Sequence, residues 1–61
     1  MENKEHRFLR IGEVKRLTTL SKSTIRRLEL QNKFPKRYKL AEKVAAWDYN
    51  EILEWMESKK K

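Results

Sequence analysis

Residues 11–30 read IGEVKRLTTLSKSTIRRLEL, and the spacing of their apolar side chains decides the fold. Ile11, Val14, Leu17 and Thr18 fall at i, i+3, i+6 and i+7, which is one face of a short helix. Glu13 in its first turn, with Lys15 and Arg16 further on, suits the helix dipole. Thr18-Thr19-Leu20-Ser21 then interrupts the pattern. Ser21 predicts the start of a second helix, because its hydroxyl can accept from the free amides of Ser23 or Thr24. Leu20 before that cap and Ile25 after it form a hydrophobic staple. Ile25 and Leu28 share one side of this helix, whereas Ser23, Arg26, Arg27 and Leu30 lie on or near the opposite side. Asn32 suits a left-handed C-terminal position, and Pro35 forbids continuation. Two short helices joined by about four residues give the outline of a helix-turn-helix.

The flanks add to that outline. Residues 1–6 are polar and are expected to form a disordered arm. Arg7 to Arg10 read as a short extended lead-in, with Phe8 or Leu9 anchored in the core. On the other side, Lys36 to Leu40 and Val44 to Trp47 read as two extended runs separated by Ala41-Glu42-Lys43, a length suited to a hairpin. Tyr38, Leu40, Val44 and Trp47 supply β-favouring side chains, although the turn lacks glycine. Asp48 followed by Glu51 gives a start like a capping box. Beyond it, Tyr49, Ile52, Leu53 and Met56 form an apolar stripe with Trp55 at its margin, and Glu51, Glu54 and Glu57 lie opposite. The expected fold is mainly α with a small β-hairpin: one domain over residues 7–58 and a basic tail over 59–61.

A chain of 61 residues has room for one domain, and with no cysteine it folds without disulfides or a cysteine-based zinc site. No run approaches the ~20 apolar residues that span a membrane, and the mixed N-terminus does not read as a secretory signal. A soluble, intracellular protein is expected, with no cofactor and no small-molecule ligand, because the few apolar side chains must fill the interior. The net charge of +7 and the isoelectric point near 10.0 raise polyanion binding first. The distribution says more than the total. Residues 1–32 carry eight bases against four acids, and residues 33–47 carry five bases against one. Residues 48–58 carry no base and four acids, Asp48, Glu51, Glu54 and Glu57. One segment therefore avoids a polyanion while the rest attracts it.

The stretches RFLRIGEV, LTTLSKSTIRRL, KFPK, KL, AW and NEILEW, in that order from Arg7 to Trp55, resemble the AlpA family of small regulators carried by bacterial prophages and integrated elements. Arg10 to Glu29 is also similar to the DNA-reading head of MerR-type regulators, without the coiled coil and effector region those proteins carry. The resemblance implies a winged helix-turn-helix that binds double-stranded DNA as a transcription regulator in the bacterial cytoplasm, at the nucleoid. Some relatives act as excisionases that bend DNA at attachment sites, so that role is implied as well. By position, Ser21 to Arg27 would begin the recognition helix and Arg37 to Val44 would be the wing. Thr19, Asn32 and Ala41 stand where the pattern usually has glycine, and Arg26 where an aromatic residue is common.

Within that frame Lys22, Ser23, Arg26 and Arg27 occupy the places nearest base edges, with Thr24 to one side toward a phosphate. Arginine suits guanine, because its planar fork donates to O6 and N7 together. Lys36, Arg37, Lys39 and Lys43 line the expected wing, where they would touch phosphates or reach the minor groove, whose narrow A·T tracts attract cations, or else protect an edge strand by charge. Arg10, Lys15 and Arg16 would clamp the backbone beside the groove. Trp47, Trp55, Tyr49 and Phe34 fit a core better than a stacking platform; Tyr38 sits among bases, and Leu30 is expected on the exposed side. His6 is alone, so neither a metal site nor acid–base work is expected. The acids of 51–57 lack a serine, histidine or cysteine partner, so no catalysis is expected. Few base contacts are available to one small domain, so self-association on adjacent sites is an expected partner relation. The competing reading is a protein-interaction module, such as an anti-repressor, whose basic face docks an acidic protein.

Overall fold

The fold is held by one apolar cluster to which six segments each supply a buried side chain, with Ala46 of β3 buried beside it. The computed structural model describes residues 7–60, in the order β1 (Phe8–Leu9), α1 (Ile11–Thr18), α2 (Lys22–Leu30), β2 (Tyr38–Ala41), β3 (Val44–Asp48) and α3 (Tyr49–Ser58). Leu9 comes from β1, Val14 from α1, Ile25 from α2, Phe34 from the loop, Trp47 from β3 and Ile52 from α3. Ile11, Leu20, Leu28, Tyr49, Trp55 and Met56 pack around them, so most of each helical stripe read from the sequence points inward. Leu17, expected on the buried face of α1, is instead exposed, because the short helix turns its last turn past the edge of the core. The expected arm over 1–6, His6 within it, and the last lysine of the tail lie outside the described residues.

Caps fix where each helix begins and ends. The Arg10 amide donates to Glu13 Oε1 at 3.3 Å, which ties the first turn of α1 to the chain before it. Ser21 Oγ accepts from the Thr24 amide at 3.2 Å, as its spacing predicted. At the far end of α2 the Asn32 amide donates to Glu29 O and the Lys33 amide to Leu28 O, the paired bonds of a Schellman ending. Asp48 Oδ1 accepts from the amides of Asn50 and Glu51 and starts α3. Glu51 does not close the box back onto Asp48. Its carboxylate instead accepts from the Tyr38 hydroxyl at 2.8 Å.

The sheet is larger than the hairpin expected. Its order is β1-β3-β2, antiparallel throughout, with Phe8 opposite Asp48, Leu9 opposite Trp47, Tyr38 opposite Ala46 and Lys39 opposite Ala45. The extended lead-in thus becomes a third strand, and the Tyr49 amide donates to Arg7 O to continue the tie. Lys36 and Arg37 stay outside β2, which starts at Tyr38. Three turns use the left-handed region without glycine: Thr19 at φ 62°, Asn32 at 59° and Lys43 at 68°. Thr19 and Asn32 are two of the positions where glycine is common in the resembling family. In the hairpin the left-handed residue is Lys43 rather than Ala41, because the pairing slips by one between Lys39 and Ala41 and throws the tight turn toward Lys43. The architecture is a winged helix-turn-helix.

Candidate nucleic-acid interface

α2 presents Ser23, Arg26, Arg27 and Leu30 to solvent, and Leu30 is 80% exposed. Its neighbouring face turns toward the hairpin. Between them lies a groove of about 260 Å³ lined by Arg10, Lys22, Arg26, Arg37 and Lys43, with Ile11, Ile25, Ala45 and Trp47 beneath. Five cations from the start of α1, from α2 and from the wing therefore converge, and no carboxylate is in the lining. Lys39 stands opposite Ala45 in the ladder, on the sheet face that borders this groove. Lys22 and Arg26 reach it together because i and i+4 share a helical face. Lys43 reaches it from the hairpin turn.

The remaining candidates fall elsewhere. Thr24 is half-buried, and its Oγ1 accepts from Ser21 Oγ at 3.0 Å, which places it in the helix cap. Lys36 lines a separate depression with Glu29, Asn32, Phe34 and Arg37, reached from the other side of Arg37. Arg16 lines a third with Arg7, Leu9, Glu13, Leu17 and Tyr49, so the structure does not bring it to the cationic groove. Lys15 is exposed on α1. Tyr38 lines none of these three: it donates to Glu51 and meets Phe8 edge-on with centroids 6.0 Å apart. That bond to an acceptor carboxylate favours the neutral phenol and raises the Tyr38 pKa above its ordinary 10.

One residue of this region escapes a reading by helical periodicity. Glu29 sits on α2 with its side chain only 16% exposed and accepts three hydrogen bonds. Arg37 donates from Nη2 at 2.7 Å and from Nε at 3.3 Å, and Trp47 Nε1 donates at 3.1 Å. The Arg37 guanidinium also lies over the Trp47 ring, 5.0 Å from its centroid. The Glu29 hydrogen bond raises the Arg37 pKa further, so its charge is permanent. The sequence held a signal for this: Glu29 is the sole acid between Glu13 and Glu42, in a stretch otherwise rich in bases.

The acids of α3 occupy other surfaces. Glu51 and Glu54 border a shallow depression with Lys33, Trp55 and Lys59, and Glu57 pairs with Lys60 at 3.8 Å. Trp55 is tied down by its own Nε1 bond to Lys33 O at 2.9 Å. Among the described residues no grouping of His, Cys, Asp and Glu could hold a metal ion, and no helix is long and apolar enough to cross a membrane.

A family model described as "Prophage CP4-57 regulatory protein (AlpA)" matches residues 7–60, every described residue. An "Uncharacterized protein ORF88" of Enterobacteria phage P4 is 42% identical over 52 residues, which are 85% of this chain and 59% of that protein. The chain thus spans about three-fifths of the length of that relative. A match over nearly the whole chain, on a fold whose helices and wing stand where the resemblance requires, shows that the chain belongs to the AlpA family of prophage regulatory proteins.

Proposed function

We propose that this chain binds double-stranded DNA in a sequence-specific manner and regulates transcription from a prophage or integrated element. The observation that carries the reading is the convergence of Arg10, Lys22, Arg26, Arg37 and Lys43 on one acid-free groove beside the exposed face of α2. In this reading α2 enters the major groove by its N-terminal half. Ser23 and Arg27 meet base edges there, with Arg26 at the border between bases and backbone. The groove then straddles the adjacent phosphate strand, held by Lys22, Arg10 and the wing cations Lys39 and Lys43. Family membership supports a regulatory role, and the wing supports a backbone grip that fixes register without reading sequence.

Six phosphate partners (the five groove cations with Lys39) give a log–log salt slope of roughly −5. The test is titration with an operator duplex, found by footprinting the element that encodes the chain, against a scrambled duplex at two salt concentrations. A DNA reader keeps its preference for the operator at high salt. An acidic-protein docking module shows weak affinity for both duplexes, erased by salt, and that result ends the proposal. Stoichiometry in the same titration reads self-association, which we expect as more than one copy on adjacent sites.

A further inference from the structure

We propose that Glu29 is a positioning residue for DNA binding, acting through Arg37. It holds the guanidinium over the Trp47 ring so that its free end-on edge faces a phosphate in the cationic groove. This rests on the DNA reading above.

The geometry is that of a fork gripped on one side. A guanidinium carries five N–H donors on three nitrogens. Glu29 takes the edge formed by Nε and Nη2, and no described residue accepts from Nη1. The edge made by Nη1 and the second hydrogen of Nη2 is therefore the one left for a ligand, and Arg37 lines the groove beside Arg26 and Lys22. The ring of Trp47 lies beneath the guanidinium, 5.0 Å from Cζ to centroid, and the indole N–H fixes the carboxylate in turn. A free arginine loses rotamer freedom when it meets a phosphate; here that freedom is already lost before DNA arrives. The same three residues tie α2 to the root of the wing, so the reading helix and the backbone clamp keep one spacing.

Charge counting and positioning predict opposite signs, which makes the idea testable. Removing a carboxylate beside a groove for a polyanion should tighten binding if charge alone matters. If Glu29 positions Arg37, Glu29→Gln should weaken operator binding about five- to tenfold, the scale of coupling between neighbouring partners. Arg37→Ala should weaken binding and flatten the salt slope by about one. In the Arg37→Ala background Glu29→Gln should no longer weaken binding at all. A purely structural Glu29 would lower the melting temperature without that dependence on Arg37.

The measurement is duplex titration by fluorescence anisotropy across a salt series, with melting curves for each variant. Wild-type protein without duplex affinity overturns the DNA reading, and this inference with it. Wild-type protein that binds, with Glu29→Gln equal or tighter, overturns only the role of Glu29. Should Glu29→Gln melt below the assay temperature, Arg37→Lys decides. It keeps the charge but loses the fork and the stacking plane, so binding should fall about fivefold, and wild-type affinity would overturn the inference.

Discussion

Lys43 combines two properties that one substitution separates. It is a groove cation, and it holds φ at 68°, a region where a side chain carries a steric penalty and glycine does not. Lys43→Gly should therefore stabilise the fold and weaken DNA binding at once. The left-handed conformation disfavours a β-carbon by about 1–2 kcal/mol, offset in part by the extra chain entropy of unfolded glycine, about 0.5–1 kcal/mol. A net gain near 0.5–1 kcal/mol remains, and each kcal/mol moves the melting temperature of a domain this size by roughly 4–8 °C. On the DNA side, a solvated ion pair at 4 Å is worth about 1 kcal/mol, about fivefold in Kd, and the salt slope should flatten by about 0.9. Thermal denaturation by circular dichroism gives the first quantity, and anisotropy titration at several salt concentrations gives the second. A lower melting temperature would refute the account of the turn. An unchanged salt slope would refute the placement of Lys43 against a phosphate.

Arg27→Ala should lose about 1–3 kcal/mol for the operator and relax its sequence preference, whereas Lys39→Ala should weaken operator and scrambled duplexes alike and flatten the slope by about one; competition with single-base operator variants separates the two. Ile52→Ala removes a fully buried side chain and should destabilise by about 2–5 kcal/mol, enough in urea denaturation to bring so small a domain close to its unfolding midpoint. Tyr38 should titrate above 10 in the ultraviolet difference spectrum, and Glu51→Ala should bring it back down. Because its folded pKa is raised above the unfolded value, the contribution to stability is present below pH ~10 and is lost as pH rises through the folded pKa.

Local rules made much of the fold legible before any coordinates. Ser21, Asn32 and Asp48 marked helix ends because capping depends on a few adjacent amides, and the 3.6-residue stripes gave the buried face of each helix apart from Leu17, which lies exposed at the end of α1. The pairing of Phe8 and Leu9 with β3 was not legible beyond an extended lead-in, since a two-residue strand has no periodicity of its own. Arg10, Lys22, Arg26, Arg37 and Lys43 were named as cations in the right segments, and the structure gathers them. Arg16 was named on the same grounds of charge and lies elsewhere, because residue type does not say which way α1 is rolled. The bonds that occupy Arg37 and Tyr38 span 8 and 13 residues, distances at which sequence patterns carry no register.

A core assembled from single contributions has a consequence for lifetime. Because the buried side chain of each segment packs in one shared cluster, opening one edge exposes the interior of the rest, and proteases meet either a closed chain or an open one. Whatever binds only the closed form shifts that balance, by about 2.7 kcal/mol when free ligand exceeds its dissociation constant a hundredfold. On the DNA reading, molecules seated on the operator would outlast those adrift, and the number of copies in the cell would settle near the number of sites available to hold them.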